Sequence, residues 1–122
     1  MPTPRVGWVP VQLDCDLATD SLVYGCPGVA GTVVQVTVGV PVVATTYTGF
    51  NVYKNAVTLI AQQLLTTAGG YVGGTAKNVT LVTTPTSLRV AATDILSANW
   101  NVNSAGSYVG GGCTVWIEPD VW

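Results

Sequence analysis

The chain has 122 residues, of which four are Lys or Arg, six are Asp or Glu and none is histidine. Charged residues make up 8% of the chain, far below the roughly 25% of an ordinary soluble domain, whereas hydrophobic residues make up 48%, enough for the core of one domain. The dispersed cations argue against a nucleic-acid or anionic-membrane surface. The lack of histidine excludes Ser-His-Asp and Cys-His catalysis, so we predict a non-enzymatic structural or binding protein whose neutral surface favours self-association.

The first twelve residues hold three prolines and one tryptophan, Trp8. Proline fixes φ and lacks a backbone N–H, so residues 1–12 are predicted to form an extended arm outside any central ladder, ahead of a single domain over 13–122. Trp8 either folds back onto its own domain or clasps a neighbour. The region has no basic segment followed by an apolar one, and no apolar run approaches the ~20 residues of a membrane helix. We therefore expect synthesis in a cytoplasm and no membrane partner.

Alternating apolar and polar residues follow the arm, a pattern that is typical of strands. In the segment GTVVQVTVGV, Val34, Val36 and Val38 are predicted to share one face, with Gln35 and Thr37 on the other. The strands predicted in this half of the chain are 13–17, 21–26, 31–40 and 42–48.

The segment FNVYKNAVTLIAQQLL predicts a hairpin with Lys54 and Asn55 at its turn. Residues 57–65 also fit a helical face, because their apolar residues recur every three or four positions. We favour a strand, since the neighbouring segments are strands and no Ser, Thr or Asp caps a helix start before Val57.

Two glycine-rich loops, over 66–78 and 103–112, interrupt the second half of the chain, and they carry Tyr71 and Tyr108. With these loops, the chain has about eight to ten short strands with turn signals about every 8–12 residues, which predicts an all-β sandwich or barrel. The further strands are predicted over 78–84, 87–91, 95–102 and 113–122, the last with Cys113, Val115 and Ile117 on one face.

The acidic residues form no recognisable catalytic motif. Asp14, Asp16 and Asp20 could offer oxygen ligands to Ca²⁺, but the segment lacks the glycine and the terminal glutamate of an EF-hand loop. We interpret Asp14 and Asp16 as a solvated strand face. The sequence therefore predicts no catalytic residue, no cofactor and no metal site.

The three cysteines, Cys15, Cys26 and Cys113, have no CxxC spacing and no histidine to complete a zinc site. We interpret them as small buried thiols in a reducing compartment. A bridge between Cys15 and Cys26 is the alternative, in oxidising surroundings.

Tyr71 and Tyr108 have two interpretations. They either contact a neighbouring subunit, because aromatic residues are enriched at interfaces, or form an aromatic platform for a sugar. We favour the subunit contact and keep carbohydrate binding as the alternative.

Three segments of the second half of the chain form a recurring pattern. They are a strand of the form N-x-Y-K-N-G (residues 51–55), a turn and strand of the form x-V-x-A-G-D-x-L-x-x-x-W (90–100), and a glycine-rich entry to a closing strand with an aromatic residue (110–116). Together they resemble a group of small virion proteins of tailed bacteriophages. Ala56 and Thr93 stand where this group usually has glycine. The resemblance covers roughly the last two-thirds of the chain.

The resemblance implies an antiparallel, jelly-roll-like β-sandwich that decorates or cements the capsid of a tailed bacteriophage. Its partners would be the major capsid protein and further copies of itself, as a homotrimer, on virions assembled in the host cytoplasm. We expect Pro4, Trp8 and Pro10 to make arm contacts, and Tyr71 and Tyr108 to make loop contacts. The alternatives are a receptor- or carbohydrate-binding module of a head fibre or tail tip, and a minor head or tail completion protein.

Overall fold

The computed structural model describes residues 7–15, 22–39, 49–64, 75–102 and 111–120. These residues form ten strands and one short helix, as the periodicity of the sequence leads one to expect for an all-β protein. In chain order they are β1 (Val9–Cys15), β2 (Leu22–Gly25), β3 (Gly31–Gly39), β4 (Gly49–Lys54), β5 (Thr58–Leu64), β6 (Ala76–Asn78), β7 (Thr80–Leu81), α1 (Pro85–Leu88), β8 (Arg89–Val90), β9 (Leu96–Val102) and β10 (Gly111–Pro119).

The strands form two antiparallel sheets that pack together. Sheet 1 has the order β1-β10-β3, and both β6 and β8 pair with the far side of β3; sheet 2 has the order β2-β9-β4-β5-β7. Along the described strands, the chain stays within one sheet only from β4 to β5 and changes sheet at every other step. Strands that are neighbours in a sheet are therefore mostly distant in sequence. This is the jelly-roll arrangement of a β-sandwich, and it confirms the predicted fold class.

The core lies between the inner faces of the two sheets. Because side chains alternate along a strand, each long strand contributes about every second residue to this layer. Full burial of one aliphatic or phenylalanine side chain is worth about 1.5–3 kcal/mol, so the core is the main source of stability. The buried apolar residues are Val11, Leu13, Val33, Val36, Val38, Phe50, Val52, Ile60, Ala61, Val79, Val90, Leu96, Ala98, Cys113, Val115 and Ile117.

A β-bulge in β3 changes the predicted alternation. The register between β3 and β10 skips Val34, so that Val33 is buried together with Val36 and Val38 while Val34 is half-buried. The prediction that Val34 shares the face of Val36 and Val38 was wrong, because a bulge inserts one residue that simple alternation cannot anticipate. Gln35 lies on the outer side of the sheet, as predicted.

Strand β1 begins at Val9 and pairs with β10 along its whole length. Residues 9–12 are extended as predicted, but they belong to the sandwich, so its edge lies before Val9 and not at residue 13. Pro10 is tolerated because β1 is the outer strand of sheet 1 in the described part of the chain, where a missing N–H breaks no ladder on the open side. Residues 1–6 lie outside the described residues.

The second half of the chain agrees with the prediction in part. The preference for a strand over residues 57–65 is confirmed by β5, which forms a hairpin with β4. Residues 85–88 form a helical turn that was not predicted, and Pro85 occupies its first position, where a missing N–H costs nothing. Strand β6 occupies the end of the predicted loop 66–78, while the predicted strand 42–48 lies outside the described residues.

Candidate functional site

The turn between β4 and β5 is bonded to the loop that precedes β9. Asn55 Nδ2 donates to Asp94 Oδ1 at 3.0 Å, Asn55 N donates to the Ile95 carbonyl at 2.7 Å, and Ile95 N donates to Asn55 Oδ1 at 3.0 Å. Asp94 Oδ2 also accepts from the Ala91 N–H at 2.8 Å. The bonds from Ala91 and then Asn55 hold the pKa of Asp94 below its ordinary value. Two of the segments that carry the resemblance therefore meet in space and brace one another.

Charged side chains form hydrogen bonds that hold the loops at the same end of the sandwich. Lys54 Nζ donates to the carbonyls of Thr86 at 3.2 Å and Arg89 at 2.7 Å. The Arg89 guanidinium donates to both carboxylate oxygens of Asp120 at 2.6 Å, which raises the pKa of Arg89 and lowers that of Asp120. These groups are engaged in holding loops, so they form no charged site for a ligand.

The outer face of sheet 1 carries a cross-strand row of large side chains. Pro10 of β1 is opposite Trp116 of β10, and Trp116 is opposite Gln35 of β3. Trp8 lies two residues before Pro10, just ahead of β1, and is half-buried. We call Trp8, Pro10, Gln35 and Trp116 the tryptophan face.

Two polar atoms of the tryptophan face are buried without a hydrogen-bond partner. They are the indole nitrogen of Trp8, which is a donor, and Oε1 of Gln35, which is an acceptor. Gln35 is only 5% exposed although it lies on the outer side, and its Nε2 donates to Thr37 Oγ1 at 3.2 Å. An unsatisfied buried polar atom costs about 1–3 kcal/mol. A rotation of the Trp8 or Gln35 side chain that brought either atom to a partner would remove this cost.

Acidic side chains flank the tryptophan face. Asp14 lies further along the outer side of β1, where it accepts from Gln12 Nε2 at 3.2 Å, and Glu118 follows Trp116 by two residues on β10; both are exposed. An aromatic, neutral centre with a polar rim is the composition of a protein interface.

The outer face of sheet 2 carries a different row. Tyr24 of β2 and Tyr53 of β4 are both opposite Ser97 of β9, and Asn51 of β4 is opposite Asn99 of β9. Asn51 Nδ2 donates to the phenol oxygen of Tyr53 at 2.9 Å, so one amide positions one tyrosine. The row combines aromatic, amide and hydroxyl groups.

Two adjoining hollows lie on this side, and they share Tyr24 and Ala56 as common walls. The polar hollow, of about 190 Å³, is lined by Tyr24, Tyr53, Ala56, Ser97 and Asn99. The larger one, of about 630 Å³, has an almost wholly apolar lining and lies within the range of about 300–1,000 Å³ that is typical of ligand sites. We call the two hollows together the tyrosine groove. The larger hollow is lined by Tyr24, Gly25, Cys26, Asn55, Ala56 and Ile95.

The structure brings together only some of the predicted site residues. Trp8 and Pro10 lie near one another on the tryptophan face, whereas Pro4, Tyr71 and Tyr108 lie outside the described residues. Sequence reasoning missed three aromatic residues, Trp116, Tyr24 and Tyr53. The alternation of β10 contained the necessary information for Trp116, because Val115 and Ile117 were correctly predicted to share one face, which leaves Trp116 on the other.

Two features were predicted to be absent, a metal site and a membrane-spanning segment. Within the described ranges, no cluster of Asp, Glu or Cys could hold a metal ion, and Asp14 is the member of the Asp14, Asp16 and Asp20 set that falls inside them. No helix in the same part of the chain is long and apolar enough to cross a membrane.

The cysteines differ from the prediction at one position. Cys113 is buried as predicted, and burial raises the pKa of its thiol. Cys26 is a free thiol but is exposed, at the rim of the tyrosine groove, so the prediction that it is buried was wrong and the alternative bridge to Cys15 is not formed.

Comparisons with known proteins give a limited result. No family model and no curated protein matches the chain. Among solved structures, the chain is similar to the CBM22-1 and GH10 modules of the N-terminal endo-1,4-β-D-xylanase 10B of Clostridium thermocellum, complexed with xylohexaose, with a TM-score of 0.45 and 13% identity. The match covers 95% of this chain and 27% of that chain.

Proposed function

We propose that the protein is a non-enzymatic structural protein of a tailed-bacteriophage virion, which decorates or cements the capsid by binding the major capsid protein through the tryptophan face. The observation that carries the proposal is the row of Pro10, Trp116 and Gln35 next to Trp8, in which an indole N–H and an amide oxygen lack partners. Because both atoms are buried, a neighbouring protein can supply the missing groups only after the Trp8 and Gln35 side chains rotate toward it.

The chemistry of this face suits a protein partner. Tryptophan is among the residues that contribute most to interfaces, and charged residues are depleted at their centres. Here the two tryptophans are both half-buried, so part of each ring remains available to a neighbour. The exposed Asp14 and Glu118 provide a rim that can select the orientation of the partner.

The proposed mechanism is mechanical. A sandwich with a continuous apolar core is a rigid body, and several copies joined as a trimer would present several tryptophan faces to the shell at once. When one face has bound, the next binds at high effective concentration, so weak contacts add up to stable attachment. Such links between capsid subunits would oppose expansion of the shell by the packaged DNA.

The first test is the number of copies per particle. Quantitative mass spectrometry of purified virions of the phage that encodes the chain should find it in numbers comparable with the major capsid protein. A few copies per particle would assign it to a head or tail completion role instead, and its absence from virions would refute the proposal.

The second test concerns the contact surface. A deletion that tests the N-terminal region must end before β1, because loss of residues 9–12 would remove more than half of this strand and damage the sandwich. Deletion of residues 1–6 and the substitution Trp8→Ala should each weaken binding to virions stripped of the protein. Val57→Ala is the matched control, since Val57 is 81% exposed and lies in the β4–β5 turn on the opposite sheet. Equal binding by Trp8→Ala and Val57→Ala would show that the tryptophan face is not the contact.

A further inference from the structure

We propose that the tyrosine groove is a binding site for a neutral saccharide, a function separate from capsid attachment and independent of it. The groove lies on the outer face of sheet 2, over β2, β9 and β4, whereas the tryptophan face lies on sheet 1. Both sites can therefore be occupied at the same time.

The first argument is the exposed ring of Tyr24. This side chain is 64% exposed and forms a wall of both hollows. Beside it, Ile95 is 48% exposed and lines the larger hollow. A pyranose ring presents C–H groups on its faces and hydroxyls around its edge, so it can cover these apolar surfaces with one face. An exposed tyrosine that also has polar neighbours suits such a ligand.

The second argument is the supply of hydrogen-bonding groups at the polar end. The Tyr53 oxygen accepts from Asn51 Nδ2, and this bond leaves the phenol O–H free to donate in another direction. Ser97 contributes a hydroxyl and Asn99 an amide to the same hollow. Donors and acceptors therefore alternate over a short distance, which fits the hydroxyl groups of a sugar better than the carbonyl row of an extended peptide.

The third argument is an acceptor that has no partner. Asn51 is 6% exposed, and its Oδ1 is buried without a hydrogen bond. Its amide nitrogen is already bonded to Tyr53. Asn51 does not itself line either hollow, so a sugar hydroxyl or a bridging water would satisfy this oxygen only after the Asn51 or Tyr53 side chain rotates.

The fourth argument is neutrality. The residues described as lining the groove carry no formal charge. An anionic or cationic ligand would lose its hydration there without gaining a counter-charge. The ligand class is therefore a neutral saccharide rather than a uronic acid, a sialylated glycan or a phosphorylated sugar.

The experiment is an NMR titration of the full chain with cellohexaose, maltohexaose and chitin hexasaccharide, each to about 5 mM, a range that detects weak sites. At least one should bind and shift the amide signals of Tyr24, Tyr53 and Ser97. Tyr24→Ala should weaken binding by about tenfold or more, the loss of about 1.4 kcal/mol. Tyr53→Phe should weaken it less, because it removes only the phenol O–H and keeps the ring.

Val57→Ala is the matched control, since it removes another exposed apolar side chain from the neighbouring turn that does not line the groove. Its affinity should equal that of the unaltered chain. The proposal is overturned if none of the three saccharides binds, if Tyr24→Ala binds as well as Val57→Ala, or if a galacturonic acid hexasaccharide binds more tightly than the neutral ones. Binding of a decaproline peptide in the absence of saccharide binding would likewise overturn it and assign the groove to a peptide.

Discussion

The tryptophan face and the tyrosine groove are built by one rule and yet differ in chemistry. Both use the outward positions of strands whose inward positions fill the core. On sheet 1 the outward row lies near an outer strand and contains proline and tryptophan. It also contains one donor, the Trp8 indole nitrogen, and one acceptor, Gln35 Oε1, that are buried without a hydrogen-bond partner. On sheet 2 it lies over β9 and β4 and combines tyrosine with amide and hydroxyl groups. The difference teaches that a jelly roll can carry two chemically distinct outer surfaces without altering its core.

The largest effect is expected when a variant of each site is measured in both binding assays. Trp8→Ala should lower attachment to virions by about thirtyfold or more per contact, because loss of a tryptophan at an interface centre costs about 2 kcal/mol, and the loss multiplies over the copies of an oligomer. The same variant should bind saccharide normally. Tyr24→Ala should show the reverse pattern, which co-sedimentation with virions and NMR titration measure in parallel.

Folding of both variants is checked by circular dichroism and by the midpoint of urea unfolding. Tyr24 is mostly exposed and Trp8 is half-buried, so each should keep its β-sheet spectrum. If either substitution impairs both activities in a folded protein, the two surfaces do not act separately and the comparison fails.

The next effect concerns the support of the tyrosine groove. Asn55→Ala removes the two side-chain bonds to Asp94 and Ile95, and exposed hydrogen bonds contribute about 0.5–1.5 kcal/mol each. We expect the loss of these bonds to lower the free energy of unfolding by about 1–2 kcal/mol. The strain of alanine at the φ of 54° adds to this loss, because asparagine tolerates that conformation better. Saccharide binding should also weaken, since Asn55 lines the groove. Attachment through the tryptophan face should not change. A variant as stable as the original would show that these bonds contribute nothing.

The same cluster predicts a pH dependence. The pKa of Asp94 is lowered in the folded protein, so its contribution to stability is complete above the ordinary aspartate value of 3.8 and is lost as pH falls through the lower folded value. Asp94→Asn should remove this part of the acid sensitivity, and the part from Asp120 paired with Arg89 should remain. Urea unfolding at a series of pH values between neutral and strongly acidic measures both. An unchanged pH profile in Asp94→Asn would contradict the assignment.

Alternation predicted the all-β class and the residues of β10 that share one face, because the two faces of a strand differ in solvent exposure. It failed at Val34, where a bulge adds a residue. Residues 9–12 were predicted to be extended and outside any central ladder, and they belong to the outer strand β1. The rows on the outer faces could not be predicted, because cross-strand neighbours such as Tyr24 and Tyr53 meet through Ser97. That pairing is set by tertiary register and not by local sequence.

A smaller effect is expected from the backbone of the β4–β5 turn. Asn55 and Ala56 have φ values of 54° and 64°, the left-handed pair of a type I′ turn, in which glycine is favoured at the second position. Alanine there is strained by about 1–2 kcal/mol, and glycine loses more chain entropy on folding. We expect Ala56→Gly to raise the free energy of unfolding by about 0.5–1 kcal/mol in urea titrations. A loss of stability would mean that the methyl group contributes packing to the groove that outweighs the strain.

The smallest effect tests whether the tryptophan face really holds spare hydrogen-bonding capacity. Gln35→Met keeps a long side chain but removes the orphan Oε1 together with the bond from Nε2 to Thr37. The relief of one unsatisfied acceptor offsets the loss of one bond, so the free energy of unfolding should change by less than about 1 kcal/mol. Thr37→Val is the comparison, because it removes an acceptor from Gln35 and a donor to Asn78 without relieving any orphan, and it should cost more. If Gln35→Met costs more than about 2 kcal/mol in the free protein, Oε1 is already satisfied within the fold. It would then not be available to a partner, and only the ring surfaces of Trp8 and Trp116 would remain to carry attachment.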